Sequence, residues 1–496
     1  MATAVQPPVA ALARYAALAQ TFGLILMLFG LSILFPLAIS HLLDDGAQVA
    51  YDEALVLTFG CGAGLWLVSR GREAELQIRE GFLLVALVWT VLPAFATLPL
   101  LLYLPDLSFT DAYFETASGL TTSGATVLEG LDKLPPSINI WRTQLVWMGG
   151  MGVVVLAVAI LPLLGVGGAQ VFKAETPGPM KDTKLTPRIT ETAKGLWAVY
   201  FAVTIACILA LKLAGMTWLD AVIHAFSTMG LGGFSSHDAS YGFWDSPLIE
   251  AVTIVFMLIA SLNFATHFLA WRGRSLRPYR RDPEAGMVWL AMLGSALLVA
   301  VYLWYLAFYP DFWTALRFAT FNVVSIASTT GFANTDYALW PSFAPLWMLY
   351  LSCFATSSGS TGGGMKMIRA LVLLKQSVRE FTRILHPRAE VPLRIAGQPV
   401  APNVIFAVLA FMLVYGLTMV GMSLLLTATG LDFVTAFSAV VACINNMGPG
   451  LGKVGPAGNY AGLTDFQTLV CTAAMLLGRL ELFTLLLIFT PAFWRK

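Results

Sequence analysis

Four short polar breaks constrain this chain more than any other feature, because each interrupts an apolar protein where irregular backbone is hardest to accommodate. They are Thr121-Thr122-Ser123-Gly124-Ala125, Leu231-Gly232-Gly233-Phe234, Ser328-Thr329-Thr330-Gly331-Phe332 and Asn445-Asn446-Met447-Gly448-Pro449. Each follows a short helix-like run and precedes a polar loop and then a long apolar segment. With Gly124, Gly233, Gly331 and Gly448 taken as equivalent, the spacings are 109, 98 and 117 residues. That is too long for a solenoid and suits one small membrane unit used four times.

The setting is a lipid bilayer. Of 496 residues, 58% are hydrophobic and 11% charged, with a mean hydropathy of +0.76, which predicts an all-α polytopic membrane protein. The first apolar run, 20–43, is longer than a signal-peptide core and reads as a retained span. A second covers 54–69, after an acidic loop from Asp44-Asp45 to Asp52-Glu53.

Four units then read as long helix, short helix, long helix: 80–104, 110–122, 140–165; 194–214, 217–229, 247–271; 285–309, 312–328, 342–375; and 402–429, 432–445, 465–493. Runs of about 20 apolar residues cross the ~30 Å hydrocarbon core, whereas the short helices must enter and turn back. The expectation is ten spans and four re-entrant helices, divided as 1–72, 73–172, 173–275, 276–395 and 396–496. Non-helical backbone at membrane depth is tolerated only where it is buried in protein or lines a watery cavity. Four such loops on one axis would line an ion path.

Charge orients the chain. The termini and the loops after residues 69, 165, 271 and 365 hold 23 of the 29 basic residues, so the positive-inside rule makes that face and both termini cytoplasmic. The breaks then open outward. The outer loops carry Asp106, Glu129, Asp132, Asp238, Asp245 and Asp336, which either concentrate cations at a mouth or are simply solvated.

Selecting a dehydrated monovalent cation takes a ring of oxygens that replaces its water shell, and backbone carbonyls can supply one. Glycine lets successive carbonyls turn inward through positive φ. Thr122, Ser123, Gly124, Gly232, Gly233, Thr329, Thr330, Gly331, Asn446, Met447 and Gly448 are the candidate filter, with Met447 and the Leu231-Gly232 pair making it chemically unequal. A single glycine after a helix reads as a C-cap; the fourfold recurrence favours the filter. Each short helix would aim its negative C-terminal end at the cation. Asp111, Asp220, Asp311 and Asp432, near the helix starts, read as structural caps.

Two features lie below the breaks. Ser357-Ser358-Gly359-Ser360-Thr361-Gly362-Gly363-Gly364 interrupts the last helix of the third unit and cannot hold a helix well, so it is either a hinged plug or a plain kink. It is no phosphate loop, since Met365 separates its last glycine from Lys366 and no apolar strand precedes it. Arg479 stands inside the last span, where an ionisable residue costs at least ~2.5 kcal/mol and faces a cavity or partner. A charge there is either a barrier to cations or half of an ion pair, and Glu481, two residues on, does not face it on a helix. Lys212 and Arg317 read as snorkelling near element ends.

Other function classes find no support. Five scattered cysteines give neither a disulfide framework nor a metal site, and His41, His224, His237, His267 and His386 form no catalytic constellation, so no enzyme and no cofactor are expected. A net charge of +1 offers nothing to nucleic acid.

The ordered set of breaks, together with Ser358-Gly359-Ser360-Thr361-Gly362-Gly363-Gly364-Met365-Lys366 and Asn446-Met447-Gly448-Pro449-Gly450-Leu451-Gly452, resembles the Trk/Ktr/HKT superfamily of potassium transporters, and within it the TrkH type, over essentially the whole chain. The resemblance implies potassium uptake across a prokaryotic inner membrane through one central pore, with the four glycines at its filter. Sodium or mixed-cation permeation, or cation symport, is the alternative in the same architecture. It further implies that residues 359–364 form an intramembrane gate with Arg479 in the pore beneath the filter. It implies a homodimer embedded in membrane lipid and a cytosolic nucleotide-binding regulatory ring of the TrkA type, docked on the basic loops.

Overall fold

The computed structural model describes residues 8–70, 78–159 and 189–495. Arg72, Lys173, Lys181, Lys184, Arg188 and Lys496, all assigned above to the cytoplasmic face, lie outside the described residues, as does the stretch 160–165. The described chain is helical but for one two-residue antiparallel pair, Arg394–Ile395 with Gln398–Pro399.

Six helices are long and apolar enough to cross a membrane, or seven with the bent pair Pro247–Ala260 and Phe264–Gly273 taken as one span. The N-terminal pair is Pro8–Ser32, continued by Leu34–Leu43, and Gln48–Ser69. Its helices touch backbone to backbone: a methyl on Gly23 would sit 2.8 Å from the Gly62 carbonyl, and one on Gly62 2.8 Å from the Met27 nitrogen. Small residues supply this approach between apolar helices, where no hydrophobic drive operates. The acidic loop is shorter than expected, since Tyr51, Asp52 and Glu53 already belong to the second helix.

Each unit contains its short helix: Phe109–Leu120, Trp218–Gly230, Phe312–Ala327 and Phe433–Ile444. All four start on a side-chain N-cap. Asp311 and Asp432 accept from the N–H of Thr314 and Thr435. In the first two units the caps are Ser108 and Thr217 rather than the aspartates, accepting from the N–H of Asp111 and Asp220, whose carboxylates take the cap hydroxyls in return. An acid three residues into the helix supports a hydroxyl cap while an acid at the cap acts alone, so Asp111 and Asp220 lie 13 residues before their glycines and Asp432 lies 16, whereas Asp311, at 20, heads a longer helix of 16 residues.

The helices that follow the breaks are less uniform than their apolar runs predict. In the first unit Pro136–Ala159 is continuous. In the second, the run 247–271 is bent by 94°. In the third, Phe343–Ser352 is parted from Met367–Leu385 by the Gly-rich loop, and in the fourth Asp465–Arg479 stops before Phe483–Ile488, with Glu481 and Leu482 at φ of 52° and 54°. Three of the four second helices are therefore broken.

Candidate functional site

The four breaks share one local geometry. Two residues before each glycine stands a residue with left-handed backbone: Thr122 (φ 58°), Leu231 (53°), Thr329 (62°) and Asn446 (52°). In each unit the next N–H, that of Ser123, Gly232, Thr330 or Met447, donates back into the short helix, to the carbonyls of Ser118, Ser227, Ser325 and Ala442 at 2.8–3.0 Å. This is a Schellman-type end, which ties off the last turn and frees the chain to run straight. So the cap and filter readings of these glycines are compatible: the cap is made by the residues before them. Beta-branched Thr122 and Thr329 and bulky Leu231 are held where such side chains are seldom found, and all are fully buried.

Tertiary packing closes the glycines into a ring. A methyl on Gly124 would strike the Gly233 nitrogen; one on Gly233 would lie 2.6 Å from the Gly331 carbonyl carbon. On Gly331 it would strike the Met447 oxygen, and on Gly448 it would lie 2.7 Å from the Ser123 oxygen. Each glycine thus occupies space that the next unit's backbone needs, and the fourth returns to the first. Gly124, Gly331 and Gly448 also have φ of 77°, 91° and 93°, so they are required twice over. All four line a single cavity of ≈ 90 Å³, shared with the loops that follow the breaks.

The units are not identical. Ser227 and Ser325 donate through their hydroxyls to the carbonyls one residue past the glycine, on Phe234 and Phe332. In the fourth unit Tyr460 instead donates to the carbonyl of Gly448 itself, at 2.8 Å. Asn446 bridges to the first unit, donating to Ser123 Oγ and to the Met475 carbonyl, both at 3.0 Å.

Directly beneath, the Gly-rich loop is held by the second, third and fourth units. Thr361 Oγ1 donates to the Met229 carbonyl at 2.9 Å, the N–H of Gly363 donates to Thr329 Oγ1 at 2.8 Å, and a methyl on Gly363 would strike the Asn445 carbonyl. Arg479 donates to the carbonyls of Thr361 at 3.1 Å and Gly149 at 2.9 Å, with its guanidinium over the Trp89 ring. Lys366 donates to the Gly362 carbonyl, and Gly359, Gly364 and Lys366 itself take φ of 75°. Ser360 closes the turn through its hydroxyl on the Ser357 carbonyl at 2.6 Å.

The family model described as TrkH, cation transport protein, matches residues 48–496. The chain belongs to the TrkH family. It is 48% identical to the Trk system potassium uptake protein TrkH of Halomonas elongata, over 96% of this chain and 98% of that one. It is 44% identical to the protein of the same name from Escherichia coli K12, over 97% and 100%. The crystal structure of the potassium transporter TrkH from Vibrio parahaemolyticus superposes with a TM-score of 0.89 at 44% identity, covering 97% of this chain and all of that one.

Several side chains of this TrkH-family chain have partners that the sequence did not name. Glu481 is not a partner of Arg479; it pairs with Arg369 at 2.7 Å, at the break of the last span. Among the described residues no carboxylate reaches Arg479, which is served by carbonyls. Arg317 does not simply snorkel: it holds Glu250 and Asp245, both at 2.7 Å. The outer acids are largely structural. Asp238 accepts from the N–H of Leu131, Glu129 from Asn459, and Asp132 pairs with His237.

Sequence reasoning missed the buried pair Arg142–Glu115, at 2.8 Å with both side chains essentially inaccessible. Arg142 also donates to Asn139 Oδ1, Thr126 Oγ1 and the Ser235 carbonyl, and lies 4.4 Å from the Phe234 ring centroid. It thereby ties the first short helix to the loops that leave the first and second filters. Its signal was available: an arginine just inside the apolar run that begins at Ile138, and a glutamate inside a short helix, both places where an unpaired charge is not tolerated.

His237 lies at the same mouth, between Asp132 and Asp220, and stacked on Phe243 at 3.6 Å. Burial works against its charge, but the hydrogen bonds to Asp220 and Asp132 outweigh it and hold the imidazole above the ordinary histidine value. The Asp132 carboxyl is correspondingly held low: its burial opposes this, and the His237 bond prevails.

Proposed function

We propose that the chain takes up potassium across a prokaryotic inner membrane through a single pore, with no covalent chemistry. The closed ring of Gly124, Gly233, Gly331 and Gly448 carries this reading. Four short helices end at one point, their C-terminal dipoles favour a cation there, and the non-helical backbone of residues 122–124, 232–233, 329–331 and 446–448 offers carbonyls that can replace a hydration shell. The relatives' names supply the ion: both curated relatives cited above are potassium uptake proteins.

The Gly-rich loop from Gly359 to Gly364 is the gate, and Arg479 places a positive charge where a cation leaving the ring must pass. A loop tied by a handful of hydrogen bonds can leave the axis at far lower cost than a packed helix. The two termini and the basic loops face the cytoplasm, where a nucleotide-binding subunit of the TrkA type docks, and two copies associate in the bilayer. The chain divides at 72, 172, 275 and 395 into an N-terminal pair and four pore repeats.

The test is potassium-dependent growth and rubidium uptake in a host without its own potassium importers, at matched membrane levels. Gly331→Ser abolishes uptake or lets sodium compete, and Arg479→Ala changes the rate while potassium preference persists. Wild-type uptake in both variants would sink the pore assignment.

A further inference from the structure

Glu284 is the first residue before the span Ala285–Tyr305 and is 3% exposed, yet among the described residues no cationic side chain is paired with it. Its carboxylate instead receives backbone. Oε1 accepts from the N–H of Ser358 at 3.1 Å and of Ile368 at 2.9 Å; Oε2 accepts from Ser358 N at 3.2 Å and Ser357 Oγ at 3.2 Å. Those donors are the two ends of the Gly-rich loop. Ser357-Ser358 enters it, and Ile368 is in the first turn of the helix Met367–Leu385 that leaves it.

Glu284 itself is carried by the cytoplasmic segment. Its N–H donates to Asp282 Oδ1 at 2.9 Å, and Asp282 Oδ2 accepts from Thr266 Oγ1 at 2.8 Å, on the helix after the 94° bend of the second unit. The loop also docks on that bend. Ser357 N donates to the Ser261 carbonyl at 3.0 Å, and Phe264 N donates to the Gly359 carbonyl at 3.1 Å, so the backbone groups freed by the break are satisfied by the loop.

We infer that Glu284 is a positioning residue for transport: a latch that closes the two ends of the Gly-rich loop on each other and couples its place in the pore to the arginine-rich segment 272–281. A buried carboxylate with three converging donors cannot release one end without leaving it unsatisfied, so the ends move together. Displacing the segment from the cytoplasmic side draws the carboxylate away from both ends at once. The inference rests on the loop being the gate.

The test measures rubidium influx into liposomes containing the purified full chain alone, with sodium competition as the second readout. Glu284→Ala raises influx roughly tenfold, the shift expected for losing several buried hydrogen bonds, and leaves the potassium-to-sodium ratio at the wild-type value. Glu284→Gln keeps an amide oxygen for both N–H groups and restores influx to near wild type. If Glu284→Ala does not reach the membrane, Glu284→Asp, one methylene short of spanning both ends, gives the same direction.

Unchanged or reduced influx, a changed ion ratio, or a glutamine variant as leaky as alanine would overturn the latch. Deleting Gly362–Gly364 separates the two readings. If the deletion leaves influx unchanged, the gate assignment has failed. If it raises influx and the Glu284 variants do not, only the latch has.

Discussion

The glycine ring and the Gly-rich loop beneath it are built on opposite plans. The ring uses four equivalent pieces, each a short helix, a Schellman end and a glycine, and its contacts are backbone against backbone. The loop belongs to the third unit alone and is held by side chains contributed unequally: Thr361, Thr329, Arg479, Lys366 and Glu284. Coordination of one ion requires near-equivalence and allows no slack. Obstruction that can be withdrawn, the role proposed for the loop, requires a single displaceable element, and three of the four second helices are broken. Repeat symmetry therefore serves the ring, and departure from it serves the loop.

The sharpest break of this comparison is on the ring. Gly331→Ala puts a methyl onto the Met447 carbonyl at a φ of 91°, and rubidium uptake falls at least ~100-fold, consistent with overpacking of 1–3 kcal/mol plus backbone strain of similar size. Gly416→Ala, on a helix with open space around it, leaves uptake unchanged. Equal effects at both sites would remove the ring's special status.

Next in size is the scaffold above the ring. Arg142→Met strands the buried Glu115 carboxylate, and thermal unfolding in detergent should show a loss of ~3–5 kcal/mol; a double Arg142→Met, Glu115→Leu variant recovers part of it. A third effect separates the regions directly. Arg479→Ala removes two hydrogen bonds that hold the loop and the first unit, and rubidium influx rises ~10-fold with unchanged ion preference, because the ring is untouched. A loss of ion preference would show that ring and loop are one device.

The smallest effect is on pH. The raised His237 value means that its pairing with Asp132 and Asp220 stabilises the outer mouth fully at acidic pH and is lost as pH rises through the folded-state value. Heat stability should therefore decline modestly across that window, and His237→Gln should flatten the decline. An unaltered profile in the variant would assign the dependence to another group.

Much of this plan is legible in the chain. The apolar runs, the four short helices and the equivalence of Gly124, Gly233, Gly331 and Gly448 follow from hydrophobic length and from glycine recurring after helix-like segments, both local signals. The Gly-rich interruption is equally plain, since its residues oppose helix while their neighbours favour it. The left-handed positions Thr122, Leu231, Thr329 and Asn446 were not legible, because nothing about threonine or leucine announces positive φ; only the ring's packing imposes it. The bend at Ser261-Leu262-Asn263 had a faint sign in its polar residues, as the buried Arg142–Glu115 pair had in its two misplaced charges, and the partners of Arg317, Arg369 and Glu284 had none.

The sequence by itself determined the class of fold, the number of repeats and which backbone segments must be irregular, because membrane thickness and backbone hydrogen bonding act on contiguous residues. Tertiary structure alone decided which units touch, which charge meets which, and that the glycines close into a ring. Those outcomes depend on residues from tens to hundreds of positions apart, from Arg142 on Glu115 to Asn446 on Ser123 and Arg479 on Gly149, and no local preference encodes a partner at such distances.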